Sequence, residues 1–290
     1  MSGENPKLIT SMDQSIFGGS YPIDKKIMQL DFDKIIESDI VKIIPVLRAI
    51  IAIYGGVLGI RDRFFLKKVV FFINQFNSGI NTSEIERFVT DVLKDEKFRQ
   101  KVNEKILIHL DRFDDEFKSL ILAELLKNWV KKNIDWNEFV RLTHIIERAH
   151  PNVFIRLYDC FKINFNSSKP TDLGLKVNVN ANDYALIMGS GIGYKMGNFG
   201  SVMICKDGID ICKYGLKNLL DDQYEDFPHD INEYLNKLFR ERKTNHETDL
   251  RDLTDPFFSD YERWIVKSRS GDSLKIRKEI IEKIRKFYSI

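Results

Sequence analysis

From about residue 31 to residue 162, apolar side chains recur every three or four positions, the period of helices that turn one face to a core. Ile85, Phe88, Val89, Val92 and Leu93 share one such face, and Ser83 with Glu86 has capping-box spacing ahead of them. Phe98, Val102, Ile106 and Leu110 mark a second helix. Asp114 and Asp115 can open a third, which carries Phe117, Leu120, Ile121, Leu125 and Val130. Asp135 and Glu138 suit a fourth start, before the stripe Phe139, Leu142, Ile145, Ile146 and Ala149. Pro151 ends that helix or opens the next, where Phe154, Leu157, Tyr158 and Phe161 recur. The connections are short, so consecutive helices are expected to pack antiparallel as a bundle.

The pattern changes near Asn164. NFNSSKPTDLG is turn-rich and reads as a domain boundary. LKVNVNANDY alternates like a short strand or an extended linker. Val202 to Cys205 read as a strand, Ile209 and Ile211 more weakly so, and residues 214–220 as a short helix. An amphipathic helix is expected over 229–243, then a polar loop, then a terminal helix with the stripe Ile276, Ile280, Ile284 and Phe287. Residues 1–30, polar and rich in Ser and Gly, are expected to form a flexible arm. They lack the basic-then-apolar order of a secretory signal. The expected fold is therefore mainly α: an antiparallel helical bundle over 31–163, and a smaller α+β unit over 171–290 ending in a basic helix.

One stretch departs from the amphipathic pattern. Ile43 to Ile60 carries a single charge, Arg48. As one helix its eighteen residues would run about 27 Å, the lower edge of a membrane span. Pro45, the Gly55–Gly56 pair and Arg48 oppose spanning. Arg48, together with Arg61, Asp62, Arg63, Lys67 and Lys68 of the largely basic flank, is a candidate for contact with a membrane surface or a partner. The favoured reading is a helix buried on most sides; a single span and peripheral contact stay open.

Composition narrows the classes of function. Hydrophobic residues make up 43% and charged residues 30%, which is globular, and the net charge of +2 gives no global pull toward nucleic acid. Three cysteines without paired spacing fit a reducing compartment, and five scattered histidines without a CxxC argue against a zinc site. The glycine-rich GSGIGYKMGNFG matches neither a dinucleotide fingerprint, since Tyr194 stands where the third glycine belongs, nor a Walker loop; its glycines suit the turns of a hairpin. The acidic pairs Asp114–Asp115 and Asp221–Asp222 read as a helix start and a solvated loop. His144 shares a helix face with Glu147, and His109 sits near Asp111, but both histidines read as structural. No catalytic residue, metal or cofactor is expected.

The final residues, 260–290, hold nine Lys/Arg against five Asp/Glu. Lys275, Arg277, Lys278, Lys283, Arg285 and Lys286, with Lys195 in the glycine-rich segment, are candidate nucleic-acid contacts. The succession IPVLRAIIAIYGGVLGIRDRFFLKKVVFFI, a capped helix, VNEKILIHLDRFDD and WNEFVRLTHIIERA resembles bacterial helical proteins found with phage and mobile-element genes, some described as abortive-infection-like. The likeness covers about Ile43 to Ala149. It implies a bacterial protein of phage defence, cytoplasmic or peripheral to the inner membrane; the expected function is that of a non-enzymatic interaction protein whose helical half meets a partner or a membrane. More faintly, residues 184–220 resemble a winged-helix unit, with YKMGNFGSVMICKDG as the wing. That implies the alternative of a nucleic-acid-binding regulator using the wing and the basic tail.

Overall fold

The computed structural model describes residues 5–18, 21, 32–54, 59–165, 171, 174–179, 181–195 and 201–224. Two compact units are present. One comprises Met1–Val179 with Asp183–Leu219; the other, Asn180–Asn182 with Leu220–Ile290, lies almost wholly outside the described residues. The helix expected over 229–243 and the basic terminal helix fall in that region. Apart from residues 181–182 and 220–224, the helices and the small sheet described below belong to the first of these units, and the turn-rich stretch after Asn164 does not divide them.

The chain begins with a correction. Pro6–Phe17 is a helix (α1), where the composition suggests a loose arm. Asn5 caps it by accepting from the Lys7 N–H at 3.0 Å, and Pro6 suits the first turn because its missing N–H would have no partner there. Leu8, Met12 and Ile16, four residues apart, are buried. Arg99 binds the Asp13 carboxylate with two nitrogens, at 2.5 and 2.6 Å, which ties α1 to the bundle. Asn5→Ala is expected to cost about 1 kcal/mol of stability, read from urea unfolding; no loss would mean that α1 does not need its cap.

Two short helices follow, Phe32–Glu37 (α2) and Asp39–Ile43 (α3). The apolar stretch is not one helix. Pro45 opens a separate ten-residue helix, Pro45–Tyr54 (α4), which buries Val46, Leu47 and Ile50. Ile60–Asn77 (α5), Thr82–Asp91 (α6), Glu96–Arg112 (α7), Glu116–Val130 (α8), Trp136–Arg148 (α9) and Asn152–Phe165 (α10) complete the bundle. Asp115 caps α8, and Asp135 with Glu138 forms the capping box of α9, both as the spacing predicts. α6 starts two residues earlier than expected. Its capping box is Asn81 with Glu84, and Ser83 only donates its hydroxyl to the Asn81 side chain.

α8 is the central helix, packed against α5, α9 and the turn that follows α12 below. The stripe read from the sequence covers one side only, yet Leu122, Ala123, Leu126 and Trp129 are buried as well. Trp129 sits in an aromatic cluster with Phe88, Phe98, Trp136 and Phe139, at centroid separations of 4.8 to 6.4 Å.

A three-stranded antiparallel sheet completes the unit: Leu175–Asn178 (β1), Gly193–Lys195 (β2) and Ser201–Ile204 (β3), in the order β1-β3-β2. β2 and β3 are the arms of the hairpin expected from the glycines, with Lys195 opposite Val202. Gly174 precedes β1 at φ +129°, and a β-carbon there would lie 2.1 Å from the Ile204 carbonyl oxygen, so only glycine fits. A single helix, Ala181–Gly189 (α11), stands between β1 and β2. Beyond β3 the weak strand expected at Ile209 and Ile211 is instead helical: Lys206–Asp210 (α12), a π-helical turn Ile211–Leu216, and Lys217–Tyr224 (α13). The apolar residues of this segment are buried by helix packing, which a strand-like run of isoleucines does not reveal. Gly215 lets the π turn lie against α8, since a β-carbon there would meet Ile121 at 2.7 Å.

Candidate functional site

Buried apolar side chains dominate the bundle, so exposed ones stand out. Five large hydrophobic residues are exposed among the described residues, and four of them lie between Ile43 and Phe64. Ile43 is 55% exposed, Ile53 42%, Ile60 78% and Phe64 56%. Ile60 and Phe64 stand one turn apart at the start of α5, and so occupy one face. Ile53 lies with Ala49 and Ala52 in a cleft closed on its other side by Asn5, Pro6 and Lys7. α4 therefore turns one face inward and leaves small and branched apolar groups on the other. Among the described residues, no helix is long and apolar enough to cross a membrane.

The charged residues expected to flank this surface have divergent fates. Arg48 is exposed. Arg61 is also exposed and pairs with Asp111 of α7 at 2.8 Å. The Asp62 carboxylate accepts from the Gly59 N–H at 3.2 Å and so serves to start α5. Arg63 is exposed between Ile60 and Phe64. Lys67 pairs with Glu116 at 2.9 Å and lies over the Phe71 ring. Burial by itself would raise the Glu116 carboxyl, but the bond from Lys67, its own backbone amide and the charges of Lys67 and Lys68 together hold it below its usual value.

Lys68 is a correction. It is 5% exposed and is not part of any contact surface. Its ammonium donates to the Asp111 and Phe113 carbonyls at 3.2 and 2.6 Å. Those carbonyls close the C-terminal end of α7, where a cation suits the helix dipole. Burial lowers the Lys68 ammonium below its ordinary value, against the pull of Asp111 and Glu116. Consecutive residues on a helix point about 100° apart, so the inner lysine and the outer one are neighbours in sequence only. Lys195 is exposed on β2. Lys275, Arg277, Lys278, Lys283, Arg285 and Lys286 lie outside the described residues.

A second polar constellation sits between α7 and α9. His109 Nδ1 is 2.7 Å from Glu147 Oε2, and His144 Nδ1 is 3.9 Å from the same oxygen. Lys105 Nζ is 3.1 Å from His144 Nε2, and Arg112 reaches Glu147 Oε1 at 3.5 Å. The Glu147 carbonyl accepts from Lys118 at 3.1 Å. His109 is 1% exposed, stacked near Phe113 and edge-on to His144. Burial pushes its pKa down to about 4, with Glu147 pulling the other way. Burial also lowers His144, and the Lys105 charge adds to that. Both rings are therefore neutral near pH 7. Sequence spacing displays only the His144–Glu147 pair, one turn apart on α9; His109 enters through the packing of α7. Neither a family model nor a curated protein nor a solved structure matches this chain.

Proposed function

We propose that this protein is an interaction protein that docks a protein partner through the apolar surface between Ile43 and Phe64. The observation that carries this is that, among the described residues, four of the five exposed large hydrophobic side chains fall within residues 43–64. Large apolar groups kept in water along one stretch of the chain point to a contact site. The rim favours protein over lipid. Arg61, Lys67 and Lys42 are each matched to an acid, Asp111, Glu116 and Asp39. A rim of mixed sign suits the polar border of a protein interface, while an anionic membrane is drawn by cations of one sign. The likeness of residues 43–149 to proteins of phage and mobile-element loci makes bacterial phage defence the setting in which such docking would act. The nucleic-acid alternative gains less support: a helix-turn-helix needs two helices, and only α11 separates β1 from β2 among the described residues.

A photo-crosslinking phenylalanine analogue at position 64, in the full chain produced in cells, tests the proposal. The expected result is a discrete protein adduct that disappears with Ile60→Asp and does not form when the analogue replaces the exposed Lys176 of β1. An adduct with a second copy would name the partner as the protein itself. Flotation with anionic vesicles in place of any protein adduct would assign the surface to a membrane instead. Absence of both would remove its functional role.

A further inference from the structure

The His109–His144–Glu147 constellation has the composition of a metal centre. Candidate ligand atoms of the three side chains all lie within 4.8 Å of one another. A tetrahedral ion with ligands at about 2.0–2.1 Å holds them roughly 3.3 Å apart. The two separations to Glu147 Oε2, 2.7 and 3.9 Å, fall on either side of that distance. Side-chain rotations would bring these two separations, and the third, which is no more than 4.8 Å, to that distance. Two imidazoles and one carboxylate form a known zinc donor set that keeps a fourth position open. A carboxylate and a histidine three residues apart on one helix, facing a ligand from a neighbouring helix, is how bundles build such sites.

Hydrogen bonds pair His109 Nδ1 with Glu147 and His144 Nε2 with Lys105, but they leave one ring nitrogen over. His109 Nε2 is buried and has no hydrogen-bond partner among the described residues. That nitrogen is the one that carries the ring proton when Nδ1 serves as a ligand. The ring is locked against Phe113 and His144, which holds Nδ1 toward Glu147.

We propose that His109, His144 and Glu147 bind a divalent transition metal of the zinc class, and that the Lys105 ammonium competes with the ion for the site. The competition follows from proton placement. Lys105 can donate only to a lone pair on His144 Nε2, which puts the ring proton on Nδ1, the nitrogen facing Glu147. In that tautomer Nδ1 cannot ligate. When the ion binds, Lys105 releases Nε2, the His144 proton moves there from Nδ1, and Nδ1 takes the metal. The Nδ1 proton of His109 moves likewise to Nε2, so the two rings stay neutral and no proton is lost from them. Arg112, 58% exposed on its side chain, can leave Glu147 for solvent. Lys118 holds only the backbone carbonyl of Glu147 and does not occupy its carboxylate.

The test uses Co²⁺ as a visible probe and Zn²⁺ as its competitor, on the folded full chain. One equivalent of Co²⁺ is expected to give the visible absorption of a tetrahedral nitrogen–oxygen site, and Zn²⁺ to abolish it. His144→Ala and Glu147→Gln should each weaken binding at least about tenfold. Both side chains are partly exposed, so the variants should fold, which circular dichroism checks. Lys105→Met should tighten binding. His150, His229 and His246 can hold an adventitious ion, so the differences among variants decide. Wild-type affinity in His144→Ala, or no Co²⁺ absorption at all, overturns the site. Equal or weaker binding in Lys105→Met overturns the competition.

Discussion

Replacing Glu124 by alanine is expected to cost about 3–5 kcal/mol of folding stability, because it strands a buried cation. Glu124 is 1% exposed at the middle of α8. One of its oxygens lies 2.5 Å from Lys127 Nζ and also accepts from the Gln75 amide of α5. The other accepts from the Asn218 amide at 2.9 Å. Lys127, 5% exposed, donates to the Ser78 carbonyl at 2.7 Å. One carboxylate therefore joins the central helix to α5 and to the first turn of α13, and neutralises the buried Lys127 ammonium. Alanine would remove the carboxylate that this ammonium and the Gln75 and Asn218 amides share. Urea unfolding followed by far-ultraviolet circular dichroism should show a large fall in midpoint. The pair Glu124→Leu with Lys127→Met should recover most of the loss, because removing both charges removes the desolvation penalty with the attraction. A loss below about 1 kcal/mol in Glu124→Ala would mean that water reaches the pair and that α8 is less enclosed than described.

The same residues explain what the sequence leaves hidden. Lys118, Glu124 and Lys127 interrupt the apolar pattern of α8, so its periodicity resembles that of a surface helix with one inward stripe. Their burial depends on partners far along the chain: Gln75 and Ser78 are 49 residues from Glu124 and Lys127, and Asn218 is 94 residues from Glu124. Local patterns carry no trace of such partners. The helix starts at Asp115 and Asp135 are legible because a cap acts within three residues of itself. By the same logic, Asn5 followed by Pro6 was a readable start for α1, obscured by the polar composition around it. The contact surface is half legible. An apolar run announces burial or contact, but only the break at Pro45 and the packing of α4 divide its residues into buried Val46, Leu47 and Ile50 and exposed Ile43 and Ile53. In the histidine cluster, His109 and Glu147 are 38 residues apart and meet only because α7 packs on α9.

Asp159 should make the protein less stable as the pH rises, the reverse of an ordinary carboxylate. It lies on α10 with its side chain 13% exposed, and burial raises its pKa from 3.8 to about 7. The Arg156 guanidinium opposes that rise from 3.8 Å, but Arg156 is shared with Asp183 of α11 at 3.7 Å, and the Asp183 charge pushes Asp159 further up. With the folded value above the unfolded one, the native state binds the extra proton. The stabilisation is full below about pH 3.8 and is lost progressively as pH climbs through about 7. The gap between the two values corresponds to about 4 kcal/mol at most. Asp159→Asn carries no such titration and leaves Arg156 its bond to Asp183. Relative to wild type, the variant should therefore gain a few kcal/mol between pH 4 and pH 8, whatever the other carboxylates contribute to both proteins. Stability curves of the two proteins that run parallel over this range would show that Asp159 ionises as it does in water, with Arg156 repaying its burial in full.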